Sequence, residues 1–416
     1  MLRKFSPEKF RSHFPILSKP LRSGKELIFF DNLATTQKPQ CVIDKISEFY
    51  STYNSNVHRG MYEFSEMATN GYEQTRTSLA SYLCVKDPRE IVFVRGTTEA
   101  INIVAHGFGR RFLIASDEIL IGAVEHHANY LPWQILEREI GIRRRIIPLD
   151  ENHCIDIGKY EKMFSDRTKL VAIQHINNVV GGVNDIEKLV KIAHKNGAKI
   201  LIDGASSLAS KKINISKLDC DFFACSGHKC FGPMGSGFLF GKYGLLMEML
   251  PYNVGGNMVN TVRFEESIFK MPPDKFEAGT PDVAAVIGFG EAIKFLETVD
   301  MPSAQAYLGE LTSYLGKKLA QISGITIYGK PAKSGIFSFN LEGIHAHDVA
   351  TYLGNEGIAV RAGTHCAQPM MQILNVPGTV RISLCPYNTA KEIDIAVAAL
   401  GACATTFKPK PRLGRN

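Results

Sequence analysis

The stretch Phe222-Phe223-Ala224-Cys225-Ser226-Gly227-His228-Lys229 reads as a buried strand running into a small polar turn that carries one lysine. Ser226 and His228 surround that turn with groups able to bind a phosphate. Upstream, Lys199-Ile200-Leu201-Ile202-Asp203 reads as a second buried strand, this one ending in a single acid. Either residue alone would pass for a surface lysine or a helix-capping aspartate. Together, an amine, a phosphate cradle and a buried carboxylate at strand ends match the needs of pyridoxal 5'-phosphate. The amine binds the aldehyde covalently, the cradle holds the phosphate, and the carboxylate keeps the pyridine nitrogen protonated.

Outward from this point, strand-like and helix-like patterns alternate through the first two thirds of the chain. Glu90–Val94 precedes a helical pattern from Thr98 to Val104, and Lys169–Ile173 is another buried strand. Helical spacing over 187–195 stops at Asn196-Gly197, a terminator, and Gly237–Phe240 follows Lys229 as a further strand. The alternation predicts an α/β layer fold with a mostly parallel sheet. Ligands of such sheets sit at the carboxyl ends of strands, where Asp203 and Lys229 fall. Between Pro251 and Pro281 the pattern dissolves into a Gly/Pro/Asn-rich stretch, read as one long functional loop. A helix over 284–298 then bridges to a smaller α+β domain, with helices at 305–322, 347–356 and 391–405 and strands at 335–339, 358–360 and 380–383.

The chain has 416 residues, 45% hydrophobic and 21% charged, ordinary for a globular protein with a large core. No apolar run approaches the ~18 residues of a membrane helix, and Met1–Glu8 lacks an apolar signal core, so a cytoplasmic location is expected. The net charge of +7 is concentrated at the ends, +3 within residues 1–11 and +4 within 408–416, leaving the remainder neutral. Arg143-Arg144-Arg145 neighbours Glu137 and Glu139, a solvated face rather than a nucleic-acid stripe. Neither nucleic acid nor membrane is expected as a partner. The Pro/basic end 408–416 reads as disordered.

Arg95-Gly96-Thr97-Thr98-Glu99 joins a strand to a helix, and helix N-termini favour anions. One exposed terminus contributes only ~0.3–1 kcal/mol, so a phosphate dianion needs several donors. Thr97, Thr98, Ser226 and His228 can supply them. In Glu125-His126-His127-Ala128-Asn129, adjacent histidines on an extended segment point to opposite sides and no third ligand follows at helical spacing. A metal is therefore disfavoured, and His126 or His127 is a candidate to stack on a pyridine ring. Nine cysteines without Cys-x-x-Cys spacing suit free thiols in a reducing compartment. Cys366 has the most reactive setting, in the polar loop Ala362-Gly363-Thr364-His365-Cys366-Ala367-Gln368-Pro369, where Arg361, His365 and Arg381 would favour its thiolate.

These motifs, with Asp31–Pro39, Asn56–Gly60, Val94–Asn102, Val124–Trp133, Asp203–Ala205, Cys225–Pro233, Phe276–Pro281 and Arg361–Met370, resemble the cysteine desulfurases of the class V aminotransferase fold. The likeness covers nearly the whole chain and is closest to the group II branch, the SufS-type desulfurases and selenocysteine lyases. Phe5–Leu17 also resembles that family's own start.

The resemblance implies a fold type I pyridoxal-phosphate-dependent transferase, with a large domain built on a mostly parallel seven-stranded sheet and a smaller α+β C-terminal domain. Residues 1–22 would pack with the small domain, 23–298 would form the large domain, and 299–407 the small one carrying the cysteine loop. Lys229 would carry the cofactor and Asp203 would face its pyridine nitrogen. His126 would stack on the ring and move protons, with Ser206 alongside. Thr97, Thr98, Ser226 and His228 would hold the phosphate, and Thr280 would reach in from the neighbouring subunit of a homodimer. Asn178 and Arg381 would grip the substrate carboxylate, with His58 and Arg361 lining the pocket. L-Cysteine or L-selenocysteine would be the substrate and L-alanine the product. Cys366 would take the sulfur as a persulfide and hand it to a SufE- or SufU-like acceptor of the SUF pathway for iron–sulfur cluster assembly. The alternatives are a selenocysteine lyase, another class V enzyme, or a degenerate cofactor-binding scaffold.

Three positions depart from the family pattern. Ser206 stands where a glutamine donates to the cofactor's phenolic oxygen, Leu33 where a small alanine is usual, and Thr364 where a histidine precedes the cysteine by two. Slower desulfuration and a shifted cofactor absorption are expected.

Overall fold

Runs such as Leu170-Val171-Ala172-Ile173 and Ile200-Leu201-Ile202 are apolar on both faces, which suits strands covered by helices on either side, and all seven residues are fully buried. The computed structural model describes residues 5–329 and 334–407. Seven strands form the large sheet: β1 Ile91–Val94, β2 Glu118–Gly122, β3 Arg143–Ile147, β4 Thr168–Gln174, β5 Lys199–Asp203, β6 Phe222–Ser226 and β7 Gly237–Gly241. Their order across the sheet is β1-β7-β6-β5-β4-β2-β3. Strand β7 runs antiparallel to both neighbours, and every other pair is parallel. The expected α/β architecture with a mostly parallel seven-stranded sheet is what the chain forms.

Strands β2 and β3 add to the sequence reading, since charge hides them. The three arginines belong to edge strand β3, where charge discourages pairing with another chain. Arg144 meets Glu137 at 2.8 Å and Arg145 meets Glu118 at 2.8 Å.

Helix Val283–Glu297 is apolar almost all round and is buried against helices Gln40–Thr52 and Glu63–Tyr82. Close approach is possible because residue 290 is glycine: a Cβ there would lie 2.3 Å from Thr75 Oγ1. The stretch before this helix is not one irregular loop. Val259–Val262 and Ser267–Phe269 pair as an antiparallel hairpin with Phe264 fully exposed at its tip. Polar and glycine residues on both sides of these short strands mask their alternation.

The second sheet comprises β8 Ile325–Tyr328, β9 Ile336–Leu341, β10 Arg361–Gly363 and β11 Thr379–Ser383, ordered β8-β9-β11-β10 and wholly antiparallel. Helices Met301–Leu319, Ala346–Asn355 and Ala390–Thr406 supply the rest of its core. Ile28–Phe29 pair in parallel with Ile358–Ala359, and Asp31 bridges to Ser383. Residues 28–31 thus pair with C-terminal segments, although the sequence reading groups them with the large domain. Ahead of them, Phe10 and Phe14 pack on Phe231, Phe295 and Tyr387, and Arg11 meets Glu392 at 2.8 Å. The basic tail 408–416 lies outside the described residues. Among the described residues no helix is long and apolar enough to cross a membrane.

One buried ion pair ties β1 to the loop that carries Thr280. Glu277 accepts from Arg76 Nη1 at 2.7 Å, from the Tyr72 hydroxyl at 2.8 Å and from Phe93 N–H at 2.8 Å. Removing the carboxylate leaves the buried Arg76 guanidinium with only the half-exposed Glu73, at 2.8 Å, as a charged partner, and breaking a buried pair costs about 3–5 kcal/mol. Glu277→Ala is expected to lose that much in urea unfolding; a loss near zero would show the pair to be solvated.

Candidate active site

Parallel strands β4, β5 and β6 end on the same edge of the sheet, so the residues at their carboxyl ends converge. Gln174 pairs with Asp203 in the β4–β5 register, and Asp203 pairs with Ala224 in β5–β6. Beyond β6 the chain makes a short 3₁₀ turn, Gly227–Lys229, that brings the lysine back over the strand ends. Asp203 is followed by the only residue that fits. A Cβ at Gly204 would lie 2.0 Å from the Phe223 ring.

The result is a cavity of about 220 Å³ lined by Lys229, Asp203, Thr97, Thr98, His126, Asn178, Ser206, Ser226, His228, Arg361 and Arg381, all anticipated from sequence. Leu33, Gln174 and His365 line it as well. Gln174 was not anticipated, though its place at the carboxyl end of the strand beside Asp203 would have marked it.

Burial disfavours charge on both central groups. It pushes the Lys229 amine below the usual lysine range, against the opposing pull of Asp203. It pushes the Asp203 carboxyl up, against an Ala205 N–H that donates to Oδ1 at 2.9 Å and the charge of Lys229. An amine held low is a better nucleophile and base at neutral pH.

At the end of the cavity formed by helix Thr97–Val104, Ser226 Oγ accepts from Thr97 N–H at 2.8 Å and bonds the Thr97 hydroxyl at 2.8 Å. These two residues brace each other at the N-terminus of helix Thr97–Val104, while Thr98 opens on the cavity. His228 Nδ1 is buried without a partner. Burial, then Lys229 and Lys38, hold its imidazole down at about 4. It is neutral there rather than a cation.

Glu125–Trp133 forms a scaffold for two histidines with separate tasks. Glu125 is buried and its carboxyl is pushed well up by that burial. It accepts from Asn129 Nδ2 at 2.7 Å, and Asn129 Oδ1 accepts from Trp133 Nε1 at 3.2 Å. His126 faces the cavity and accepts from Ala128 N–H at Nδ1, 3.0 Å away, which leaves the neutral ring's proton on Nε2. Burial and Lys229 push its imidazole down to about 3. His127 does not line the cavity and turns to the cysteine loop instead.

Arg361 and Arg381 are directly opposed in the β10–β11 register, so their side chains leave the same face. Arg381 is fully buried, donates from Nη1 to Asn178 O at 2.8 Å and from Nη2 to Asp31 Oδ1 at 3.3 Å, and has an unpartnered Nε. Burial lowers its guanidinium to about 10 even with Asp31 beside it. Asn178 donates from Nδ2 to His365 O at 2.8 Å and leaves a buried Oδ1 unpartnered.

Cys366 stands half-buried beside this cavity. Arg361 lines the cavity and also donates from Nη2 to Cys366 Sγ at 3.8 Å. His365 does not lend the positive charge expected of it. Burial first, then the two arginines, push its imidazole down to about 3, and Nε2 is spent on Thr379 O and Oγ1.

Two anticipated residues lie elsewhere in the chain's own fold. His58 and Thr280 share a separate pocket of about 160 Å³ with Asn56, Arg59, Gly256 and Asn257. His58 was expected to line the same pocket as Arg361 and does not do so within one chain. Its N–H is tied to Thr69 Oγ1 at 2.8 Å and its ring packs edge-on to Tyr72. Of the departures from pattern, Leu33 and Ser206 line both the main cavity and a void of about 30 Å³ behind it, and Thr364 lines an open groove with Gln368 and Met371.

The signature of the aminotransferase class V family matches residues 28–395. A probable cysteine desulfurase of Halalkalibacterium halodurans is 44% identical over 93% of this chain and 95% of its own length. The chain belongs to the class V aminotransferase family, among its cysteine desulfurases. A cysteine desulfurase of Escherichia coli is 41% identical over 95% of this chain and 98% of its own. A longer one from Synechococcus elongatus is 42% identical over 95% of this chain and 63% of its own. Among solved structures, the apo cysteine desulfurase of Thermococcus onnurineus superposes with a TM-score of 0.92 at 33% identity, covering 98% of this chain and all of that one. The Escherichia coli cysteine desulfurase CsdA superposes at 0.89 with 36% identity, covering 97% of this chain and 99% of that one.

The cavity fits the family's coenzyme on its own chemistry: a depressed lysine amine, a buried carboxyl with a single backbone donor, an unpartnered imidazole nitrogen and a helix N-terminus face one space. The neutral histidines also govern acid stability. His126, His175 and His365 are held at about 3 and His228 at about 4, against an ordinary 6.5. Between pH 6.5 and about 4 these four groups bind more protons in the unfolded chain, so their contribution to stability falls as pH falls through that window, while the raised carboxyls of Glu125 and Asp203 work the other way. His175→Gln, which removes a histidine bonded to Ser207 outside the cavity, should lower the slope of stability against pH there by up to one proton, read from urea midpoints.

Proposed function

We propose that this protein is a pyridoxal-phosphate-dependent cysteine desulfurase. It converts L-cysteine to L-alanine and leaves the sulfur on Cys366 as a persulfide. The observation that carries this reading is that Arg361 lines the Lys229 cavity and also touches the Cys366 thiol.

Lys229 would hold the coenzyme covalently, Asp203 its pyridine nitrogen, and Thr98, Ser226, His228 and the Thr97 N-terminus its phosphate, with His126 flanking the ring. Bound there, pyridoxal phosphate supplies an electron sink that acidifies the substrate α-carbon. Lys229 Nζ, whose pKa burial lowers, takes the proton from that carbon. Arg361 and Arg381, with the N–H groups of Asn178, hold the substrate carboxylate. The Cys366 thiolate attacks the substrate sulfur. The substrate's C–S bond breaks, an S–S bond forms on Cys366, the electron pair left on the methylene carbon takes up a proton, and Lys229 returns a proton to the α-carbon to give alanine. A thiol of an acceptor protein then removes the terminal sulfur.

The position of His58 and Thr280 away from their own cavity supports a homodimer in which they serve the site of a second copy. The nine free thiols support work in the cytoplasm, where the sulfur would enter iron–sulfur cluster assembly through a SufE- or SufU-like acceptor. The division into a large domain over 23–298 and a small one over 299–407 is part of the same reading.

Holoenzyme given L-cysteine is expected to release alanine and to carry the extra sulfur on Cys366 by peptide mass spectrometry. Cys366→Ala should lower alanine release by two or more orders of magnitude, as loss of a nucleophile does. Alanine formed at the native rate by that variant, or sulfur mapped to another cysteine, would overturn the assignment. Ser206→Gln fills space beside the 30 Å³ void and is expected to shift the absorption of bound coenzyme and speed turnover; no change in either would show Ser206 to be neutral.

A further inference from the structure

Cys366 sits in a backbone conformation that L side chains rarely adopt. His365 and Cys366 have φ of 54° and 56°, and Gly363 just before them has 115°. Glycine takes such angles freely, whereas two consecutive side-chain-bearing residues keep them only when the surroundings impose them. Ties to the large domain fall on both sides of the thiol. Asn178 Nδ2 donates to His365 O at 2.8 Å, ahead of it. His127 N–H donates to Cys366 O at 2.8 Å, and Gln368 N–H donates to His127 Nε2 at 3.1 Å, behind it.

We propose that His127 is a positioning residue that holds the Cys366 loop in its left-handed conformation and so aims the thiol at the Lys229 cavity. The inference rests on the reading of Cys366 as the sulfur-accepting nucleophile. His127 contacts the loop with both its main chain and its ring, although more than two hundred residues separate them in sequence. Its neighbour His126 faces the cavity and His127 does not, so the ring is free for this task alone. The side-chain tie from His365 Nε2 to Thr379 O and Oγ1, next to the thiol, runs to the loop's own sheet and does not hold it against the large domain. Accepting from Gln368 requires an unprotonated Nε2, and burial keeps the His127 imidazole below its usual range.

The test compares His127→Leu, which deletes the acceptor at similar bulk, with His127→Gln, whose Oε1 has a similar reach. Alkylation of Cys366 by iodoacetamide, followed by peptide mass spectrometry without cysteine, should be about fivefold faster in the leucine variant, the worth of one lost hydrogen bond. Its kcat should fall while KM stays near the native value, and the glutamine variant should restore both alkylation rate and kcat. A leucine variant alkylated no faster than the native enzyme, or a glutamine variant as loose as leucine, would overturn the proposal. Should His127→Leu not fold, hydrogen exchange in the native protein decides: the Gln368 amide should be protected, and fast exchange there overturns the clamp. Alkylation and exchange need no turnover, so a protected loop in a protein that makes no alanine would sink the desulfurase reading and leave the clamp standing.

Discussion

Placing the Lys229 amine and the Asp203 carboxyl in one cavity is the constraint around which the large domain is arranged. Each group is pushed toward its neutral form by lost hydration and pulled back by the other. Parallel strands supply the placement, because their carboxyl ends share an edge and their backbone is satisfied within the sheet. Packing then leaves little freedom: at position 204 even a methyl group would strike the Phe223 ring. The surrounding polar groups are neutral for the same reason. His126 and His228 both titrate far below their ordinary range, so they act as oriented donors, acceptors and surfaces rather than as fixed charges.

Positive charge enters from the other sheet. Arg361 and Arg381 leave adjacent antiparallel strands on one face, and Asp31 and the Asn178 carbonyl hold Arg381 in place. Asp31 itself comes from the N-terminal segment that bridges to Ser383 on β11. The cavity is thus assembled from three stretches far apart in sequence. The two arginines and the Lys229 amine belong to different sheets, and the Cys366 loop leaves the second sheet at Gly363 to meet the first. Its geometry therefore depends on how the two sheets are joined, and His127 and Asn178 are the residues that make that join at the thiol.

Much of this was legible in the chain. Continuous apolar runs ending in Asp203 and in the Ser226–Lys229 turn carry enough information to locate the amine, the acid and the phosphate cradle, since burial and strand-end position follow from local pattern. Other features were not legible. Strands β2 and β3 carry charges that look like loop, and the hairpin at 259–269 lies in a glycine-rich stretch without clear alternation. His365 read as a cation beside Cys366 because a histidine's protonation depends on burial, which local sequence does not report. His58 read as a pocket residue because its motif resembles the family's, whereas in the chain's own fold it lies in a separate pocket.

The amino-acid order by itself determined the class of fold and marked Lys229, Asp203 and Cys366 as candidates, because these depend on short-range pattern and residue chemistry. Tertiary structure alone decided which histidine faces the cavity and which holds the loop, that the four buried histidines are neutral, and that Arg361 touches both the cavity and the Cys366 sulfur. Those outcomes rest on desolvation and on hydrogen bonds between residues distant in the chain, which exist only after the two sheets have packed.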